Sequence, residues 1–430
     1  MNEITLSHRI YKIQSLLGTV IEANIADCEI GEICHIHKNW RDTKIIAKAQ
    51  VLGFRKDTVI LGLIGESIGI SKESVIITSK EHFTIKLSSD LLGCVINSMG
   101  DIAESFKEKS GLLTNEKRGI NQSSPNYLQR KPIQHPFVTG IKAIDGLITC
   151  GIGQRLGIFA SAGCGKTSLI HMMIQHASAD IFVIALIGER GRELTEFVDT
   201  LKQTGHIDKC VIVYATSDYS SIDRVNAALV ATTIAEYFRD AGSNVVLFLD
   251  SITRYSRALR DVALAAGEPP ARRGYPASVF EALPKLLERP GLTQKGGITA
   301  FYTILLESDD EPDPIAEEIR SILDGHIYLN RKLAEKSHYP AISILQSISR
   351  VASHICDQQH LSHAAQVRKI LSKIEELKIF IDLGEYKEGE NCENDEMLYK
   401  YNKINSWLIQ SQDEKKSFES IKQEMYEILS

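Results

Sequence analysis

Aromatic residues make up only 7% of this 430-residue chain, and no apolar run approaches the ~20 residues that a membrane-spanning helix needs. The amino terminus, Met-Asn-Glu-Ile-Thr-Leu-Ser-His-Arg, lacks the apolar core of a secretion leader, so none is expected there. The eight cysteines are scattered without one Cys-x-x-Cys pair, which suggests neither a zinc site nor a disulfide framework. Reduced thiols in a cytoplasm are the simplest inference. Basic residues are not in excess. Against 49 Lys and Arg stand 55 Asp and Glu, a formal net charge of -6, the opposite of a general nucleic-acid binder. No internal repeat or low-complexity tract stands out. What is present is ordinary for a globular protein, 43% hydrophobic and 24% charged, with length for about three domains.

From Ile13 to about Ile85 the signal is strand-like. Gly18-Thr-Val-Ile-Glu-Ala-Asn-Ile, Lys44-Ile-Ile-Ala-Lys-Ala-Gln-Val-Leu-Gly-Phe and Asp57-Thr-Val-Ile-Leu-Gly-Leu-Ile are rich in β-branched residues and punctuated by Gly, Asp and Asn. A small β-barrel over residues 1–85 is expected; the alternative is a pair of hairpins packed on the next domain. Its few aromatics (Tyr11, Trp40, Phe54, Phe83) make no base-stacking platform. Leu92-Gly-Cys-Val-Ile-Asn-Ser-Met-Gly-Asp reads as a strand and turn leaving the barrel. Residues 104–135 are polar, carry Pro125 and Pro132, and read as a surface connection.

From Thr139 strands and helices alternate. Arg155 to Phe159, Ile181 to Ile187, Cys210 to Ala215, Val245 to Leu249 and Ile298 to Leu306 are near-continuous apolar runs, as expected of strands covered by helices on both faces. A parallel α/β sheet over residues 86–350 follows. Beyond Arg350 the pattern turns helical: Val367, Ile370, Leu371, Ile374, Leu377 and Ile381 mark one face. Residues 351–430 are expected to form a helical domain.

The chain is organised around Ala160-Ser161-Ala162-Gly163-Cys164-Gly165-Lys166-Thr167. It fits the phosphate-loop pattern Gly-x-x-x-x-Gly-Lys-Ser/Thr except that Ala160 stands in the first position, which closes the strand rather than touching phosphate. Gly163 and Gly165 let the backbone curl with its N–H groups inward. Lys166 reaches the β- and γ-phosphates, and the Thr167 hydroxyl ligates Mg²⁺. A helix opening at Ser168 adds its dipole. Cys164, at that helix's start, is either a reactive thiol or a small buried filler.

Val245-Val-Leu-Phe-Leu-Asp250 is a hydrophobic strand ending in a carboxylate, the pattern that holds Mg²⁺ through water beside a phosphate loop. Gly188-Glu189-Arg190-Gly191-Arg192-Glu193 follows another strand, and ligands of open α/β sheets sit at that end. Glu189 is placed either to activate water or to cap a helix. Arg190 is placed to pair with Glu189 or to reach the γ-phosphate.

Several further stretches carry a family signature. Pro136-Phe-Val-Thr-Gly-Ile-Lys-Ala-Ile-Asp, Gly153-Gln-Arg-Leu-Gly-Ile-Phe and Leu186-Ile-Gly-Glu-Arg-Gly-Arg-Glu resemble the catalytic subunits of rotary ATPases. So do Asp250-Ser-Ile-Thr-Arg-Tyr, Gly274-Tyr-Pro-Ala-Ser-Val-Phe, Leu283-Pro-Lys-Leu-Leu-Glu-Arg and Leu323-Asp-Gly-His-Ile. The match covers nearly the whole chain. It looks closest to the export ATPases of type III secretion, the loop itself being more like injectisome than flagellar ones.

The resemblance implies a RecA-like phosphate-loop core between barrel and helical domain, and hydrolysis of ATP with Mg²⁺. It implies Glu189 as the catalytic carboxylate, Arg254 as its partner, Arg350 as an arginine finger and Tyr339 as a stack for adenine. On their own residues Arg350 reads as a helix-boundary cation and Tyr339 as a core aromatic. The family role implies a cytoplasmic homohexamer at the inner-membrane export machinery. Its implied partners are a stalk protein, a regulator at the barrel and chaperone–substrate complexes at the helical domain, with no nucleic acid. The rivals are a flagellar export ATPase, a non-catalytic nucleotide-binding ring subunit, and a hexameric RNA translocase, which the acidic balance disfavours.

Overall fold

The computed structural model describes residues 9–107, 116–306, 313–383, 385–386, 389 and 391–430. The leader expectation falls on the amino terminus, most of which lies outside them. Six strands close into a barrel: β1 (Ile10–Leu17), β2 (Val20–Ala23), β3 (Glu32–His37), β4 (Ile45–Arg55), β5 (Thr58–Ile64) and β6 (Val75–His82). Their order is β1-β2-β5-β4-β3-β6, every pair is antiparallel, and β6 returns to β1. Alternate residues point inward. Ile21, Ala23, Cys34, Ile36, Ala49, Val51, Leu61, Leu63 and Ile76 fill the interior. The barrel, not the pair of hairpins, is what forms.

β7 (Thr84–Leu87) leaves the barrel and pairs with β10 (Glu116–Gly119). The stretch expected as a mere exit from the barrel contains β8 (Cys94–Ile96), which joins the main sheet and is followed by β9 (Ile102–Ser105). The expected surface connection is likewise more than that: β10 lies in it, and Ile120 is fully buried.

The main sheet continues with β11 (Arg155–Ala160), β12 (Ile181–Ile187), β13 (Cys210–Ala215), β14 (Asn244–Asp250), β15 (Gly291–Leu292), β16 (Gly297–Leu305), β17 (Gly325–Leu329) and β18 (Ile342–Ser349). Its order is β18-β17-β11-β16-β14-β12-β13-β8-β9, with β15 on β16. The strands from β17 to β8 run parallel, and β18, β9 and β15 are antiparallel additions. Helices cover both faces, which is why all seven residues of β12 are buried. Each such Ile, Val, Leu or Phe contributes about 1.5–3 kcal/mol over leaving it exposed.

Three helices close the chain: Gln358–Asp382, Cys392–Leu408 and Phe418–Leu429. The first buries Val367, Ile370, Ile374 and Leu377, with Leu371 partly buried. Ile381, expected on that face, is 37% exposed, because the helix runs on past the body it packs against. Together the three cover the short helix Lys142–Leu147, whose six residues are all buried. Gln410 fastens them. Its side-chain amide donates to Gly140 O and Glu414 O and accepts from Lys142 N–H, while its backbone N–H donates to Tyr339 O.

Candidate active site

β11 ends at Ala160, and a helix opens at Lys166 (Lys166–His176). Between them residues 161–165 turn the chain from strand to helix. Gly163 (φ 81°) and Gly165 (φ 83°) supply the left-handed conformations. The first N–H groups of the helix have no intrahelical acceptor and face outward from the sheet end, a ready anion site. Ala160 is fully buried, in keeping with a strand-closing role. Cys164 is 1% exposed and packs in the same apolar cluster as Leu169 and Ile170. The thiol is therefore the buried filler, not the reactive group.

The parallel strands carry three chemical side chains to one end of the sheet. Lys166 Nζ donates to Asp250 Oδ1 at 2.6 Å and to Glu189 Oε1 at 3.3 Å. Arg254 Nη1 lies 2.6 Å from Glu189 Oε1, an ion pair rather than an aligned hydrogen bond. Burial opposes the Lys166 charge, and the two carboxylates outweigh it, so the ammonium pKa is raised. Glu189 and Asp250 are nearly closed off, with side chains 9% and 5% exposed. Gly188 explains how Arg254 gets there. It has φ 68°, and a Cβ at that point would stand 2.8 Å from Arg254 Cδ.

Tyr339 joins the same site. Its ring lies against the loop, 3.1 Å from where a Gly165 Cβ would be, and is 41% exposed. It is no core aromatic. Arg190 does not join. The pairing with Glu189 that its position suggested falls to Lys166 and Arg254, and Arg190 is exposed. Its backbone is extended (φ −72°, ψ 144°) before the helix Gly191–Gln203, and neighbouring side chains of extended backbone point to opposite sides. Arg350 does not join either. Ser349 pairs with Gly325 and Ile342 with Leu329, while Leu329 pairs with Ala160. β18 therefore starts beside the phosphate loop and delivers Arg350 to the opposite end of the sheet. That is a strand length away, roughly 17–20 Å.

Two residues went unmarked in the sequence. Thr303 Oγ1 donates to Asp250 Oδ1 at 2.7 Å and fixes its carboxylate from β16. Thr303 is one of three hydroxyl-bearing residues in the apolar run Ile298 to Leu306, with Thr299 and Tyr302, so the run itself did not single it out. Glu193, one turn into its helix, has its carboxyl held below the usual range, first by hydrogen bonding with Glu189, then by Arg254, Arg190 and Lys166.

Loop donors, a buried lysine and a carboxylate pair suit a polyphosphate whose terminal group is attacked by water. Among the described residues no cluster of three His, Cys, Asp or Glu could hold a metal by itself. The donors are instead hard oxygens, Thr167 and Asp250, beside a phosphate site. That fits Mg²⁺, which takes one or two protein oxygens and completes its shell with phosphates and water.

The family model for the ATP synthase alpha/beta nucleotide-binding domain matches residues 140–349, and that for the T3SS EscN ATPase C-terminal domain matches residues 356–427. The SPI-1 type 3 secretion system ATPase of Salmonella typhi is 53% identical over 406 residues, 94% of each chain. The flagellum-specific ATP synthase of Bacillus subtilis is 41% identical, over 96% of this chain and 93% of its own. The assembled ATPase EscN of enteropathogenic E. coli has the same fold, with TM-score 0.90 and 43% identity over 98% of this chain and 100% of that one. EscN in complex with its central stalk EscO gives 0.87 and 42% over the same shares. The resemblance in the motifs thus extends through barrel, sheet and carboxyl-terminal helices, and the chain belongs to the family of type 3 secretion system ATPases.

Proposed function

We propose that this protein hydrolyses ATP with Lys166, Glu189, Asp250 and Arg254 of one subunit and Arg350 of the next. The observation that carries the reading is the Lys166 ammonium, bonded to both carboxylates at the mouth of a phosphate loop. Lys166 neutralises the β- and γ-phosphates. Glu189, gripped by Arg254, orients the attacking water and takes its proton. Mg²⁺ held by Thr167 and Asp250 would supply further charge neutralisation at the phosphates. Tyr339 packs the adenine end. Loop residues Ser161 to Ser168 hold the phosphates.

Arg350 stands at the far end of its own sheet, so it serves a neighbour and not its own loop. Transition-state cations presented in this way are worth roughly 10³–10⁵ in rate. One chain carrying both halves makes every interface alike, which suits a closed ring, a homohexamer in keeping with the assembled relative. By the same likeness the ring takes a stalk protein in its centre. It works in the cytoplasm at the inner-membrane export machinery, where it releases and unfolds chaperone-bound substrates. The barrel, residues 1–85, serves oligomerisation and is the regulator's contact. Residues 86–350 are the catalytic unit, and residues 351–430 are the chaperone and stalk contact.

The test is phosphate release measured against protein concentration. Specific activity is expected to rise steeply as subunits assemble. Activity independent of concentration down to the monomer would overturn the shared site.

A further inference from the structure

Two of the family stretches, Gly153-Gln-Arg-Leu-Gly-Ile-Phe and Leu323-Asp-Gly-His-Ile, have no place in the site just described. The structure brings them together at the other end of β11. Arg155 grips Asp324 with one side of its guanidinium, Nε to Oδ2 and Nη2 to Oδ1, each at 2.9 Å, while Nη1 pairs with Glu288. Their backbones are joined as well, Asp324 N–H to Arg155 O at 3.0 Å. Gln154 is fully buried, and its amide donates to Asp324 O at 3.0 Å and to Ser349 Oγ at 3.1 Å. The same Asp324 O accepts the backbone N–H of Arg350 at 2.9 Å. Arg350 is thus held by its own amide, and its neighbour Ser349 by its hydroxyl. Its guanidinium then rests on Arg320 O at 3.3 Å, at the end of the helix Pro314–Ile322.

We infer that Gln154 and Arg155 are positioning residues for Arg350, acting through Asp324 and Ser349. One six-residue strand then carries the subunit's own phosphate loop at its carboxyl end and, at its amino end, the mount of the cation it presents to the next subunit. Neither group touches nucleotide. A bidentate ion pair and a buried amide fix the backbone from which Arg350 springs far more tightly than a free loop would. The inference rests on Arg350 acting in trans.

The experiment uses mixed rings of full-length chains. Co-assembly of Lys166→Ala with Arg350→Ala is expected to restore part of the activity, because some interfaces then join an intact loop to an intact finger. That recovery tests the trans reading by itself, and its absence in rings shown to be mixed overturns both. Gln154→Met keeps the length of the side chain and removes its donors. Placed in the Lys166→Ala subunit, which contributes only the finger, it is expected to lower the recovered kcat roughly tenfold to hundredfold, while placed in the Arg350→Ala subunit it changes recovery by less than about twofold. KM for ATP is expected to stay unchanged in both placements. Equal losses in the two placements, or no loss in either, overturn the positioning role while leaving the trans reading intact. If Gln154→Met does not assemble, Asp324→Asn carries the same two-placement comparison with the Arg155 grip weakened.

Discussion

Two buried sets of cations and carboxylates sit toward opposite ends of one sheet. At the carboxyl ends Lys166 meets Asp250 and Glu189, with Arg254 behind. Toward the amino ends Arg289, 1% exposed, meets Glu236. Arg289 closes its bonds inside the protein: Nε and Nη2 to Glu236, Nη1 to Ile120 O, and Nη2 also to Thr233. The planar fork binds in one geometry and ties a connection, two helices and a strand end together. Lys166 is a point charge on a four-carbon stem, rooted at the first residue of a helix and still 14% exposed. It can turn from carboxylate to phosphate without unmaking the fold. Similar chemistry gives a rivet in one place and a moving part in the other. The difference lies in the rigidity of the cation and in whether its partners are closed.

If that contrast holds, substitutions at the two ends must fail differently. Lys166→Ala is expected to lower phosphate release by roughly 10³-fold or more, because no other loop side chain neutralises the β- and γ-phosphates. Its melting temperature is expected to stay near that of the parent. Near-parental turnover in a clean preparation would remove Lys166 from the site. Glu189→Gln keeps the shape and discards the base, and a loss of about 10²–10⁴-fold in kcat is expected with retained binding of a fluorescent ATP analogue. Loss of binding with normal residual hydrolysis would make Glu189 structural.

At the other end, Arg289→Met strands Glu236 in the interior and is expected to lower unfolding free energy by about 3–5 kcal/mol. The surviving folded fraction keeps its KM. Adding Glu236→Leu is expected to recover most of that stability in denaturant titrations; no recovery would mean that Thr233 and Ile120, rather than the charge pair, hold the region. The smallest effect is expected at Cys164. Maleimide should label the exposed Cys392 and leave Cys164 unlabelled, with no loss of activity and no protection by ATP. Inactivation prevented by Cys164→Ala would reverse the burial reading.

Legibility followed locality. The strands Ile181–Ile187 and Cys210–Ala215 lie at the residues expected, because an apolar run covered on both faces leaves little choice of period. The three residues of β8 were visible as strand but not as members of the main sheet, since their partner, Val211 to Val213, lies over a hundred residues on. β17 and β18 stayed hidden among half-exposed residues such as His326 and Tyr328. In the site, Lys166 and Asp250 were readable from motif spacing. The contact of Arg254 with Glu189 came only through the family resemblance. The fixing of Asp250 by Thr303 and the opening that Gly188 leaves for Arg254 needed tertiary structure. Of the two roles read for Arg190, the pairing with Glu189 is taken by Lys166 and Arg254, which no local spacing could show.

Gln410 has a consequence for how the chain is made. Its amide and backbone close bonds with Gly140, Lys142 and Tyr339, partners 270, 268 and 71 positions earlier by subtraction of their numbers. Contacts of such separation form late, after shorter loops have closed. The helix Lys142–Leu147 sits directly before the phosphate-loop strand, yet its cover comes from the last helices. On a ribosome the barrel and most of the sheet can settle as they emerge. The helix Lys142–Leu147 lacks that cover until residues past 410 have left the tunnel. Completion of the nucleotide unit is thereby tied to synthesis of residues past 410, and a chain stopped short of those helices presents the buried face of Lys142–Leu147 in place of a finished core.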